Sequence, residues 1–258
     1  MHAPQNEIIE ASAELVARVR ERRPHVHCMT NTVAQAFTAN MLLALGAIPS
    51  MTTALEEIAP FVARADALVI NLGTLDRERR EACEIAVAKA GEVAAPWVLD
   101  PVFVDRSETR AAFASTLIGR HPHAIRLNYA EFATLARAER DTTRFALNHR
   151  TVIGLTGATD VVDDGRRRAT ISNGDALMSK VTAMGCAASA IVAACLAIDR
   201  DAANDNPWRA TGAGLVILGV AGEVAAARAR GPGSFAVEII DAIHRLDRTT
   251  LTSRARVT

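Results

Sequence analysis

Apolar positions along the chain follow two alternating rhythms. In residues 6–22, Ile8, Ile9, Leu15, Val16 and Val19 recur at helical spacing and mark one buried face. Residues 24–29 then form a short apolar run, read as a strand, that ends on Thr30-Asn31, a pair able to cap the next helix over 34–45. Gly46 closes that helix, 47–51 is a second short strand, and helix 54–64 opens with Glu56 and Glu57 in its first turn. The alternation continues with strand 67–71, helix 76–91, strand 96–99, helix 108–118, strand 124–127 and helix 129–137. Residues 138–149 are weakly patterned and no element is assigned to them. Strand 151–155 and a hairpin pairing 160–163 with 167–171 follow, with Asp164-Gly165 predicting a type I′ turn. The last third reads as helices over 184–199, 207–229 and 235–246, the final two separated by Gly231-Pro232-Gly233-Ser234.

Strand and helix alternate through residue 156, and the strands are continuous apolar runs. That pattern predicts a largely parallel sheet covered on both faces. With no internal repeat or linker, residues 1–258 read as one domain. Polar residues collect where the strands end: Asn31, Asn71 with Thr74, Asp100, Asn128 and Thr156. In an open α/β sheet the carboxyl ends of the strands form the ligand crevice, so these residues are expected to converge.

Composition narrows the function. Lys plus Arg and Asp plus Glu each number 29, so no net charge favours nucleic acid or an anionic membrane as a partner. The apolar run of about 16 residues over 183–198 is shorter than the roughly 20 needed to span a bilayer. Four dispersed cysteines without a C-x-x-C pair suit a reducing compartment, and the N-terminus lacks a signal peptide's apolar core. The expectation is a soluble, cytoplasmic protein.

The stretch Met178 to Cys186 leads directly into an apolar helix. Its Gly185 and free helix-start N–H groups suit an anion, and a helix N-terminus favours the thiolate of Cys186. A buried Ala-rich core helix is the plain alternative. Cys186 itself reads as a base or electrostatic partner for a hydroxyl, as a nucleophile, which would need a histidine such as His27, or as an inert thiol. Asp100 and Glu131 suit a hard cation such as Mg²⁺, probed against a capping Asp and a solvated Glu. Arg126 offers a planar fork to a phosphate, or a surface ion pair, and Thr156-Gly157 offers a hydroxyl and an N–H.

A series of blocks, in order, resembles the hydroxyethylthiazole kinase family. They are 26–31 (VHCMTN), 37–40, 42–47, Asn71-Leu72-Gly73-Thr74-Leu75, Leu99-Asp100-Pro101-Val102, Ile125-Arg126 with Asn128 and Glu131, Thr156-Gly157, Ser172-Asn173-Gly174, Leu177-Met178, Gly185-Cys186 and Gly231 to Phe235. The resemblance runs from about residue 8 to 247. It implies a ribokinase-like three-layer αβα sandwich, an α/β fold with a largely parallel central sheet. It also implies transfer of the γ-phosphate of ATP to the hydroxyl of 4-methyl-5-(2-hydroxyethyl)thiazole in thiamine salvage, with Mg²⁺, in a homotrimer whose sites lie between subunits. A same-fold kinase for a hydroxymethylpyrimidine and a thiazole-binding protein with impaired transfer are the alternatives. By motif, Met51, Asn31, Gly73, Thr74 and Ala183 would bind the thiazole, and Arg126, Thr156 and Gly185 the ATP. Asp100 and Glu131 would serve the metal, and Cys186 stands where the family has its catalytic cysteine.

Three departures stand out. The family's Thr-Gly-Thr-Gly-Cys is here Thr182-Ala183-Met184-Gly185-Cys186, small and Gly residues after Val102 are replaced by Phe103-Val104-Asp105-Arg106, and the stretch between Glu131 and Thr156 is short. If position 183 needs a positive φ, Ala183 is strained.

Overall fold

Successive strand residues in this protein enter opposite cores, and that alternation builds three layers. The structure is a computed structural model and describes residues 4–200 and 205–258. The strands are β1 (His25–Met29), β2 (Ile48–Ser50), β3 (Ala67–Asn71), β4 (Trp97–Asp100), β5 (Ala124–Asn128), β6 (Val152–Thr156), β7 (Asp160–Asp163) and β8 (Arg168–Ile171). The helices are α1 (Pro4–Arg22), α2 (Gln35–Leu45), α3 (Leu55–Val62), α4 (Arg77–Glu92), α5 (Glu108–Ile118), α6 (Tyr129–Ala136), α7 (Thr142–His149), α8 (Met184–Asp199), α9 (Pro207–Ala226), α10 (Pro232–Arg245) and α11 (Arg248–Arg254).

One sheet has the order β2-β1-β3-β4-β5-β6-β7-β8. Neighbours are parallel from β2 to β6, while β7 and β8 are antiparallel additions at one edge. Val26, Cys28, Val69, Val98 and Ala124 face a core shared with α1, α2 and α8–α11. Leu68, Ile70, Leu99, Ile125 and Ile153 face a second core filled by α3–α7. A strand buried on both faces has no polar alternation, which is why these strands read as unbroken apolar runs. The expected αβα sandwich is therefore the observed architecture. Because β1 and β3–β6 are parallel, the polar residues at or just after their ends share one edge of the sheet.

The structure corrects several local expectations. Residues 142–149, left unassigned, form α7, capped by Asp141 and anchored by Phe145 against Phe132. The hairpin turn has positive φ only at Gly165 among its residues, whereas type I′ needs it at both central residues. Helix α9 stops at Ala226, and α11 is an additional helix. After it, the chain's last residues pair with β8 through Thr170 and Thr258. Helix α2 takes no side-chain cap at Ala34, although the Asn31 side-chain oxygen accepts the Ala34 N–H at 3.0 Å. Helix α9 is long and apolar enough to cross a membrane by length and composition, yet it is 78% buried within the fold.

Candidate active site

The parallel register of β1 and β3, Met29 opposite Ile70, delivers Asn31 and Asn71 to the same place. Both side-chain amides donate to Cys186 Sγ at 3.3 Å. Asn31 Nδ2 also donates to Asn71 Oδ1 at 3.2 Å, and the Gly73 N–H donates to that same oxygen at 3.0 Å. A Cβ on Gly73 would lie 2.7 Å from Asn31 Cβ and 2.9 Å from Asn71 Oδ1, so the turn after β3 needs glycine for close approach. Thr74 follows with φ +48 and an exposed side chain.

Cys186 is 6% exposed, and its thiol is pushed up to about 11, first by burial and then by the nearby Asp100 carboxylate. The Asn31 donor and Arg126 pull the other way without overcoming burial. The expectation that the helix start yields a thiolate is therefore corrected: at neutral pH the group is a thiol. His27 does not partner it. Its ring is bonded to Ser50 Oγ at 2.8 Å and Thr52 O at 3.2 Å, and burial lowers it to about 4. That arrangement removes the Cys–His nucleophile reading.

Beside the thiol lies a buried charge pair. Asp100, at the end of β4 and opposite Asn71 in register, has no exposed surface. Its Oδ2 accepts from Ser189 Oγ at 2.9 Å, and its Oδ1 is 3.5 Å from Arg126 Nη1. Arg126 Nη2 donates to Thr156 Oγ1 at 2.8 Å, while Arg126 Nε is buried with no partner. The alternative of a surface ion pair for Arg126 does not hold. A Cβ on Gly185 would sit 2.6 Å from Arg126 Nη1, so the guanidinium packs directly on the first turn of α8. Ser189 carries no expectation from the sequence, whereas Asn71 is expected at the strand-end crevice and gains its role from its contact with Cys186. The usable signal for Ser189 was a lone hydroxyl three residues after Cys186 on an otherwise apolar helix.

The first turn of α8 presents the N–H groups of residues 184–186, since the first intrahelical bond is Ala187 N to Ala183 O. Ala183, the residue preceding this helix, has φ +68. Phe103 has φ +59 and is 60% exposed, and its N–H donates to Glu131 Oε1 at 3.0 Å. Both departures from the family pattern thus occupy left-handed backbone, where a Cβ is disfavoured. Ala183→Gly is expected to stabilise the protein by about 1 kcal/mol and to raise the thermal midpoint by roughly 2–4 °C. An unchanged or lower midpoint in scanning calorimetry would show that the strain is absent.

Glu131 is not on a solvated helix face. It is buried and completes a capping box at the start of α6, with Oε2 accepting the Asn128 N–H at 2.8 Å and Asn128 Oδ1 accepting the Glu131 N–H at 3.0 Å. Burial raises its carboxyl above the usual range, partly opposed by the Asn128 and Phe103 N–H groups. Among the described residues no group of three or more His, Cys, Asp or Glu side chains could hold a metal ion. The short segment between Glu131 and Thr156 keeps two helices, α6 and α7, each of eight residues.

A cleft of about 610 Å³ opens on the other side of Arg126. It is lined by Arg126, Thr156, Asp160, Ser172, Met184 and Gly185, with Leu215 and Leu218 as its apolar wall. Asp160, which the sequence did not single out, accepts the Gly157 N–H at 2.9 Å and is pushed up to about 6, mainly by burial. Met51 contributes an apolar side chain and not a hydrogen bond. It follows β2, is half-buried, and packs on the core that contains α8. No hydrogen-bonded link joins Met51 to the Asn31, Asn71 and Cys186 cluster among the described residues. The structure therefore gathers Asn31, Gly73, Asp100, Arg126, Thr156, Gly185 and Cys186, with Glu131 and Ala183 on the margins.

Comparison with known proteins identifies the chain's relatives. A model of the hydroxyethylthiazole kinase family matches residues 16–249. A probable hydroxyethylthiazole kinase from Agrobacterium fabrum is 41% identical over 246 residues, covering 95% of this chain and 94% of its own length. A hydroxyethylthiazole kinase from Granulibacter bethesdensis is 40% identical, covering 96% and 95%. The solved structure of a hydroxyethylthiazole kinase protein from Pyrococcus horikoshii superposes with a TM-score of 0.90 at 37% identity, covering 96% of this chain and 98% of that one. A ribokinase-like superfamily protein from Enterococcus faecalis, at 12% identity and a TM-score of 0.64 over 89% of each chain, shares the fold alone. With a family match over most of its length and relatives near 40% identity along nearly all of it, the chain belongs to the hydroxyethylthiazole kinase family.

Proposed function

We infer that this protein transfers the γ-phosphate of ATP to the hydroxyl of 4-methyl-5-(2-hydroxyethyl)thiazole, a salvage step towards thiamine. One observation carries the reading. The first turn of α8 has the Asn31, Asn71 and Cys186 cluster on one side and the Arg126-lined cleft on the other, so an alcohol and a nucleotide can meet at its N–H groups.

In phosphoryl transfer the protein supplies positioning and charge stabilisation more than covalent chemistry. The cleft takes the nucleotide, with Arg126 and Thr156 on its phosphates and the N–H groups of residues 184–186 on the transferring group. Asn31, the Gly73-Thr74 turn, Ala183 and Met51 frame the thiazole. Asp100 and Glu131 provide hard carboxylate oxygens, and each Glu131 oxygen that accepts one backbone N–H keeps a second lone pair. They fit a Mg²⁺ held through water, which when bound offsets charge on the phosphate oxygens. One sheet and two cores shared along the chain support reading it as one domain. The exposed Val33, Leu43 and Val237, on or beside the mutually packed α2 and α10, support a trimer face near the thiazole side. The free cysteines and the substrate class support cytoplasmic residence.

Cys186, as a thiol, holds the attacking hydroxyl rather than deprotonating it outright. Cys186→Ala is expected to lower turnover about 10-fold, less than the roughly 10²–10⁴ of a full general base, because the thiol orients the hydroxyl without taking its proton. Titration of the variant with a non-hydrolysable ATP analogue should give wild-type affinity, and full retention of turnover would remove the assigned role. The activity itself is tested by ATP consumption over a panel of thiazole and pyrimidine alcohols, with sedimentation of the same sample. Preference for a pyrimidine alcohol would overturn the substrate, and thiazole binding without ATP consumption would overturn the kinase reading. A monomer at assay concentration would overturn the trimer.

A further inference from the structure

Arg79 is a buried cation that the reaction scheme does not use. It lies on α4, in the layer opposite α8, and only 8% of its surface is exposed. Its Nη2 donates to the Thr30 carbonyl oxygen at 2.6 Å, and its Nε is buried with no partner. Among the described residues no carboxylate pairs with it; the nearby Asp76 side chain accepts from the Arg79 backbone N–H instead. A buried guanidinium held by one carbonyl is costly, because its desolvation is not offset by an opposite charge. Such an expense is expected where a side chain fixes a functional segment.

That segment is the loop between β1 and α2. Thr30 immediately precedes Asn31, whose side-chain amide must reach Cys186 Sγ and Asn71 Oδ1 at once. Thr30 is itself buried, so its carbonyl has no solvent to turn to, and the Arg79 bond sets the plane of the Thr30–Asn31 peptide. From there Asn31 has little freedom: its backbone carbonyl and its side-chain oxygen both accept the Ala34 N–H at 3.0 Å. We propose that Arg79 is a positioning residue that aims Asn31 at Cys186 by holding the Thr30 carbonyl from the far side of the sheet edge. The proposal rests on the kinase reading for its kinetic consequence, but the aim of the Asn31 amide can be read without turnover.

The test uses R79M and R79K in the full chain. R79M removes the donor and the charge and ends two bonds short of Nη2, whereas R79K keeps an ammonium one bond short of it. R79M is expected to lower kcat about 10-fold with the KM for ATP within twofold of wild type, since the nucleotide cleft is untouched. R79K is expected to recover at least a third of the lost kcat. Iodoacetamide labelling of Cys186, followed by mass spectrometry of its peptide, should slow about threefold or more in R79M, because the Asn31 N–H donor to Sγ favours the reactive thiolate and is lost. If R79M does not fold, R79Q, neutral and two bonds too short to reach Thr30, takes its place with the same expectations. Wild-type kcat together with wild-type labelling in the folded variant overturns the proposal, as does an ATP KM that rises as much as kcat falls. If the wild type phosphorylates no alcohol, the kinase reading has failed, and the labelling comparison still decides whether Arg79 aims Asn31.

Discussion

Asp100→Asn is expected to cut kcat about 100-fold or more while leaving the fold as stable as before. The carboxylate has no exposed surface, and its visible compensation is one hydroxyl bond from Ser189 at 2.9 Å and a guanidinium at 3.5 Å. A buried charge with so few partners is a weak stabilising device, and a neutral isostere is often tolerated or favourable. The Asn side-chain oxygen can still accept from Ser189, so the hydrogen bond that positions the β4 exit against α8 survives. What disappears is negative charge at the strand-end edge beside Glu131. If that charge serves phosphate transfer, its loss falls on the transition state, where a single misplaced electrostatic group costs about 10²–10³ in rate. The measurement is kcat at saturating concentrations of both substrates, paired with a thermal midpoint in the same buffer. A stable variant retaining more than about a tenth of wild-type turnover would make Asp100 a structural residue only.

Arg126→Met should act in the opposite way, on both binding and stability. The guanidinium bonds Thr156 at 2.8 Å, faces Asp100, lines the cleft and packs on the glycine that starts α8. Removing it takes the donors for a nucleotide phosphate out of the cleft, and the KM for ATP is expected to rise about 100-fold, the scale of a lost charge-assisted contact of roughly 3 kcal/mol. It also leaves the Asp100 carboxylate buried with only Ser189, which is expected to cost about 3 kcal/mol of stability, the lower end for a broken buried pair because the pair is long. The double variant D100N/R126M separates the two effects: stability should largely return, since no uncompensated charge remains, while nucleotide affinity should not. Denaturant unfolding and ATP-analogue titration read these independently. An R126M protein with unchanged ATP affinity would move the nucleotide out of this cleft.

The layout of the site was legible from sequence because a parallel sheet turns strand order into spatial convergence. Asn31, Asp100, Arg126 and Thr156 each end a strand or lie within its last turn of chain, so adjacency of β1, β3, β4, β5 and β6 brings them to one edge. The apolar strands were legible for the same reason that they are buried twice over. Helix α7 was not, because its few apolar positions, chiefly Phe145 and Ala146, make a pattern too short to recognise; it is held by the Asp141 cap and by the Phe145 ring against Phe132. Helix α11 is similarly silent, with Leu251 as its one buried residue and an Asp247 cap. Arg79 was invisible as anything but a solvated charge on a polar helix, since its burial depends on the neighbouring loop.

By itself the sequence determined the alternation of elements, the three-layer class, the family and the set of polar groups at the strand ends. The elements, layers and strand ends depend on local periodicity and chain order, and the family on the resemblance of motif blocks taken in order, all of which are written in the residues. The tertiary structure alone decided the state of those groups. Cys186 sits at a helix start, which locally favours the thiolate, yet burial beside Asp100 holds it as a thiol. Glu131, which the sequence offers as a metal carboxylate or a solvated acid, is a buried cap, and Ala183 and Phe103 occupy left-handed backbone. Solvation, charge proximity and backbone strain arise only when distant segments pack together, so no stretch of the chain carries them alone.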